Sequence, residues 1–269
     1  MAGETILAMK GISKFFPGVR ALHEVDFHLA RGEIHGLIGE NGAGKSTLIK
    51  ILGGAYHPDG GQIELDGKPA RINSPRDAMQ KGISIIYQEF NLVPALSVAE
   101  NIFLGRELVR PGLRDLNRRA MLYRAQTTME RLGLKGFDCR RLVRSLSVAQ
   151  QQMVEIAKAL FYDASILVMD EPTSVLSQKE SETLFGLMRA LKDQGISIIF
   201  ISHRLDEVIA ICERITVLRD GELVVTLDNG DRSVTKDTLV RHMVGRVLQD
   251  YFPEPQHVPS AETLLEVRG

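Results

Sequence analysis

Residues 39–46 read Gly-Glu-Asn-Gly-Ala-Gly-Lys-Ser, which fits the spacing G-x-x-x-x-G-K-[ST]. In such a loop the glycines let successive backbone N–H groups turn inward around phosphate oxygens. The lysine reaches the β and γ phosphates, and the hydroxyl binds Mg²⁺. The loop works only between a buried strand and a helix whose positive N-terminal end faces the phosphates. Both flanks fit, because Ile34 to Ile38 reads as a strand and Thr47 to Leu52 continues a helix from about Lys45. Gly39, Glu40, Asn41, Gly42, Ala43, Gly44, Lys45, Ser46 and Thr47 are therefore the expected phosphate-binding residues.

The loop restricts the rest of the chain to an α/β architecture, and the hydrophobic pattern agrees. Ile83-Ser-Ile-Ile-Tyr87, Ile166-Leu-Val-Met169 and Ile196-Ser-Ile-Ile-Phe-Ile201 are apolar on both faces, as parallel strands covered by helices must be. Helical patterns lie at 117–132, 150–162 and 178–194. Antiparallel structure is expected near the start, where Val25, Phe27 and Leu29 alternate with Asp26 and His28. Gln62 to Asp66 adds a strand before an Asp66-Gly67 turn, and Arg214 to Leu227 reads as a hairpin turning at Asp220-Gly221. Roughly 89–160 lacks convincing strands and reads as an inserted, mostly helical segment. The run from Ile166 ends in Asp170-Glu171. Asp170 is placed to hold Mg²⁺, often through water, and Glu171 to take a proton from an attacking water.

Composition sets limits on partners. Across 269 residues the formal net charge is −1, with both signs interspersed. No basic stripe marks nucleic acid as the main partner. Cys139 and Cys212 stand far apart without metal-ligand spacing, and are expected as free thiols in a reducing compartment. The N-terminus lacks a basic start followed by an apolar run, so it is not read as a secretory signal. The longest apolar runs fall far short of the ~20 residues a membrane span requires.

The order P-loop, Gln88, Leu146-Ser-Val-Ala-Gln150, Asp170-Glu171, His203 resembles the nucleotide-binding domain of ABC ATPases over essentially residues 5–245. The resemblance implies a P-loop core, an antiparallel β subdomain and an inserted helical subdomain, with ATP and Mg²⁺ as ligands. It implies that Ser147 and Gln150 bind the γ-phosphate of ATP held by an opposite domain, at the start of a helix expected from about Gln150 to Phe161. Phe16 matches the aromatic that stacks on adenine, with Phe15 the rival ring. Gln88 resembles the glutamine that senses Mg²⁺ and links the site to transport subunits. His203 resembles the histidine that contacts the γ-phosphate. Ser46, Gln88 and Asp170 form the implied metal set, and Glu171, His203 and Gln88 the implied catalytic set. The other histidines show no ligand spacing.

Phe16-Pro-Gly-Val-Arg-Ala-Leu22, Ile85-Ile-Tyr-Gln-Glu-Phe-Asn-Leu-Val-Pro94 and Ser97-Val-Ala-Glu-Asn-Ile-Phe-Leu-Gly105 are similar to the subgroup serving bacterial monosaccharide importers. That implies an ATPase on the cytoplasmic side of the inner membrane, bound to permease subunits and indirectly to a periplasmic sugar-binding protein. Members carry two such domains in one chain. Thr263-Leu-Leu-Glu-Val-Arg-Gly269 matches Thr5-Ile-Leu-Ala-Met-Lys-Gly11 in residue class, after a proline-bearing stretch. The expected division is a domain at 1–245, a linker at 246–262 and the start of a second domain at 263–269, with chance similarity the alternative. A soluble tandem ABC ATPase acting on ribosomes or DNA is the rival function. It calls for a long charged helical linker, or for coiled-coil or zinc insertions. Two departures from the family pattern stand out. Val148 and Ala149 replace two glycines, and Ser177 stands where Asp is common. They imply that the site completed through Ser147 is the weaker of a pair.

Overall fold

A computed structural model describes residues 4–110 and 115–245 of the chain. The expected linker at 246–262 and second-domain start at 263–269 lie outside the described residues.

Two sheets organise the molecule. The first is antiparallel, in the order β2-β1-β4-β5. It comprises β1 (Thr5–Phe16), β2 (Val19–Ala30), β4 (Gly60–Leu65) and β5 (Lys68–Ala70). The second has the order β10-β9-β3-β8-β7-β6. It comprises β3 (Ile34–Ile38), β6 (Ile83–Ile86), β7 (Ile166–Asp170), β8 (Ser197–Ile201), β9 (Arg214–Arg219) and β10 (Glu222–Asp228). β6, β7, β8, β3 and β9 run parallel, and β10 turns back antiparallel at the expected Asp220-Gly221 hairpin.

The continuous apolar runs follow from this sheet having a core on each face. Alternate residues of one strand point to opposite sides. Leu167 and Met169 of β7, with Ile198 and Phe200 of β8, enter one apolar cluster. Their neighbours Ile166, Val168, Ile199 and Ile201 enter the other, with α1 (Lys45–Leu52) and the antiparallel sheet. Each such side chain contributes roughly 1.5–3 kcal/mol on full burial. Cys139 and Cys212 are free thiols buried in the first cluster.

That first cluster also takes in the inserted segment. α3 (Val98–Ile102), α4 (Arg118–Arg131) and α5 (Val148–Phe161) pack on one another there. Among the described residues of this segment the only β features are two isolated bridges, Ser97 with Leu142 and Val109 with Leu116. α6 (Gln178–Asp193) lies between β7 and β8 in sequence. α5 begins two residues earlier than the pattern implied, because Ser147 caps it. Three short helices, α2 (Pro75–Gln80), α7 (Leu205–Ile211) and α8 (Lys236–Val244), were not expected.

A buried ion pair fixes β3 against β9. Glu33 is 5% exposed and accepts from Arg214 Nε at 2.5 Å and Nη2 at 2.6 Å, and from the Ala30 N–H. His35 Nδ1 lies 3.3 Å from the same carboxylate. Burial alone would raise the Glu33 pKa. The Arg214 and His35 interactions outweigh it and bring the carboxyl from 4.5 to about 2. A carboxyl depressed in the folded state contributes stability above its unfolded pKa and loses it as pH falls through the folded one. Arg214→Met should therefore cost about 3 kcal/mol at neutral pH. Denaturant titrations of variant and parent should converge as pH falls from 4.5 toward 2. An equal difference at both ends of that window would exclude this origin.

Candidate active site

The sheet order gathers the motifs. Along β3-β8-β7-β6 four adjacent parallel strands end side by side. Gly39 follows β3, His203 follows β8, Asp170 and Glu171 close β7, and Gln88 follows β6. Ligands of open α/β sheets sit at such carboxyl ends.

The loop from Gly39 to Gly44 holds its shape because a side chain is excluded at each end of it. Gly44 has φ +102°, and a Cβ there would fall 2.7 Å from Leu22 Cδ2 and 2.8 Å from the Ala21 carbonyl. A Cβ on Gly39 would fall 2.3 Å from the Leu218 carbonyl. Gly44 caps α1 without a side-chain bond, so the first-turn amides of Lys45, Ser46 and Thr47 keep their donors for a ligand. Glu40, Asn41, Gly42 and Ser46 are exposed, Thr47 is half-buried and Ala43 is buried beneath the loop. The Lys45 ammonium donates to the carbonyls of Gly39 at 2.7 Å and Glu40 at 3.0 Å. Burial lowers its pKa, and the charges of Glu171 and Asp170 oppose that shift.

Across from the lysine stand the acids. Burial and the neighbouring Glu171 charge raise the Asp170 pKa, while Lys45 and Lys50 pull it back. Tyr87, half-buried before Gln88, has its phenol raised by burial and then by Asp170. Glu171 has φ +51°, a left-handed conformation that a non-glycine residue adopts at a cost of order 1 kcal/mol. Its N–H donates to the Ile201 carbonyl at 2.9 Å, and its Oε2 lies 3.1 Å from His203 Nδ1. Gln88 is exposed just past β6. A cation here would meet a carboxylate, a hydroxyl and an amide oxygen. That sparse oxygen set suits Mg²⁺, which completes its shell with phosphate and water. Among the described residues no three His, Cys, Asp or Glu cluster as a dedicated cage.

Two groups stand apart. Ser147 Oγ accepts from the Gln150 N–H, and Gln150 Oε1 accepts from the Ser147 N–H, a reciprocal cap on α5. Neither bonds a P-loop residue among the described contacts. Val148, the first helical residue, is 40% exposed. Ser177 caps α6 in the same way with Glu180, so the serine does there what Asp would do. Phe16 sits at the end of β1, edge-on to Tyr56 at 5.4 Å, with the Lys14 ammonium 5.6 Å from its ring centre. Phe15 is the more exposed ring at 53%.

One group at the site had no sequence signal. Glu207, in the first turn of α7, accepts from Thr173, Ser202 and Arg204. An acid four residues past a histidine is ordinary, and only the fold brings it between two loops.

The sequence profile of the ABC transporter family matches residues 22–174. The ribose import ATP-binding protein RbsA 1 of Rubrobacter xylanophilus is 56% identical over 266 residues, covering 98% of this chain and 52% of that one. The RbsA 2 protein of Streptomyces coelicolor is 49% identical, covering 99% of this chain and 50% of its own. The chain thus spans about half the length of the curated relatives it matches. Among solved structures, the ADP conformation of MJ1267, an ATP-binding cassette of an ABC transporter, superposes with TM-score 0.76 at 25% identity. It covers 90% of this chain and 99% of its own. The dimeric MJ0796 cassette gives 0.70 at 26% identity, covering 83% and 98%.

Proposed function

The chain belongs to the ABC transporter family, and from that premise we propose that it binds MgATP at Gly39–Ser46 and hydrolyses it to power import of a sugar. The observation carrying this reading is the convergence of Lys45, Asp170, Glu171 and His203 at neighbouring strand ends.

Each residue has a chemical task. The first-turn amides of α1 and the Lys45 ammonium receive the phosphate oxygens. Ser46, Asp170 and Gln88 would hold Mg²⁺, which neutralises charge on the β and γ phosphates. Glu171 takes the proton of the attacking water as the bond to the β–γ bridging oxygen breaks, giving ADP and phosphate. His203, beside the Glu171 carboxylate, contacts the γ-phosphate. Phe16 stacks on adenine. Ser147 and Gln150 serve ATP held by a second ABC domain, whose start we place at 263–269 after a linker at 246–262. Val148 and Ala149 crowd that contact, since side chains stand where glycines would let backbone approach phosphate.

The relatives named as ribose import proteins favour a sugar importer. No helix among the described residues is long and apolar enough to cross a membrane. In a sugar importer of the kind these relatives favour, permease subunits would supply the path, with this chain peripheral on the cytoplasmic face and docked near Gln88 and the helical segment. Affinity purification of the full-length chain from its native membranes tests the partner. A multi-span permease should co-purify. Recovery with ribosomes and no permease would overturn the transport reading.

A further inference from the structure

The two loops that carry Glu171 and His203 share an anchor. Glu207 Oε2 accepts from Thr173 Oγ1 at 2.5 Å and from Ser202 Oγ at 3.4 Å, and its Oε1 accepts from Arg204 Nη1 at 3.1 Å. Thr173 stands two residues after Glu171, and Ser202 and Arg204 flank His203. Thr173 is 1% exposed and Ser202 4%, so water competes little for either hydroxyl. The Arg204 N–H donates to Ser202 Oγ at 3.0 Å, closing the second loop on itself. By contrast the His203 side chain is 63% exposed. Its 3.1 Å contact with Glu171 is solvent-screened and too weak to hold two loops in register.

We propose that Glu207 is a positioning residue that locks the Glu171 loop to the His203 loop, so that the proton acceptor and the γ-phosphate contact move as one unit. This rests on the reading of Glu171 and His203 as hydrolytic groups. Glu207 acts through Thr173, Ser202 and Arg204. Among the described hydrogen bonds it has none with residues 39–47.

Two variants of the full-length chain test this. Glu207→Ala and Thr173→Val should each lower kcat by about tenfold to a hundredfold, the scale of a small misplacement of a catalytic group. KM for ATP should stay near the parent value, because the P-loop is untouched. Glu207→Gln keeps an acceptor for Thr173 and Ser202 and should recover part of the loss. Hydrogen exchange with MgATP bound reads the coupling without turnover. Glu207→Ala should speed exchange at both 172–176 and 202–205 while 42–48 stay protected. Faster exchange at 202–205 alone, or parallel losses of kcat and ATP affinity, would overturn the proposal. A parent chain that binds MgATP without hydrolysing it would remove the hydrolytic reading, and the exchange pattern would still decide the coupling.

Discussion

Glu171→Gln is expected to lower ATP turnover by roughly 10²–10⁴, the usual loss on removing a positioned general base. ATP binding should survive. The amide keeps the shape of the carboxylate and the backbone bond to Ile201, and it still offers an oxygen near His203. What it loses is the ability to take a proton from water. Lys45 and the glycine loop, which determine affinity, stay in place. Phosphate release read beside equilibrium binding of a fluorescent ATP analogue separates the two quantities. Turnover near the parent value would remove Glu171 from the chemistry.

Lys45→Ala should act in the opposite way, on binding first. A charge-assisted hydrogen bond is worth roughly 1.5–3 kcal/mol, so affinity for ATP should fall about tenfold to a hundredfold. The substitution has a second consequence. Lys45 is one of two cations that hold down the Asp170 pKa, against burial and the Glu171 charge. Without it the Asp170 carboxyl moves further up. The variant's residual Mg²⁺-dependent binding should therefore improve as pH rises, more steeply than in the parent. Binding isotherms on the acid side of neutrality, upward from the ordinary carboxylate value of 3.8, check this. Parallel pH profiles would show that Lys45 does not govern the metal-side carboxylate.

Much of the frame was readable from local pattern. A loop that needs glycine at 39 and 44 dictates strand before and helix after, and residues 34–52 obey. Runs apolar on both faces in β7 and β8 required cover on both faces, and the two clusters provide it. Strand order was a different matter. Nothing in the residues of β8 says that it inserts between β3 and β7, yet that insertion brings His203 to Glu171. α5 starts at Val148 and not at about Gln150. Ser147 and Gln150 already spelled a capping box, which starts a helix at the residue after the serine. α2 likewise had its signal in Ser74-Pro75, a cap followed by proline at the first helical position. Only the family resemblance separates Phe16 from Phe15, and the edge-on contact with Tyr56 packs the Phe16 ring on one side. Glu207 was not legible as a link between loops, because Ser202 and Arg204 are its sequence neighbours while Thr173, the partner from the other loop, is brought to it only by the folded sheet.

The central claim is that hydrolysis at this site drives sugar import. Its most direct test is uptake of labelled monosaccharides, each tried in turn, into vesicles holding the full-length chain together with a permease and a sugar-binding protein that co-purify with it. ATP inside the coupling compartment should drive accumulation in the parent, and Glu171→Gln should abolish it while ATP still binds. Accumulation that persists in Glu171→Gln, or that needs no ATP, would contradict the account.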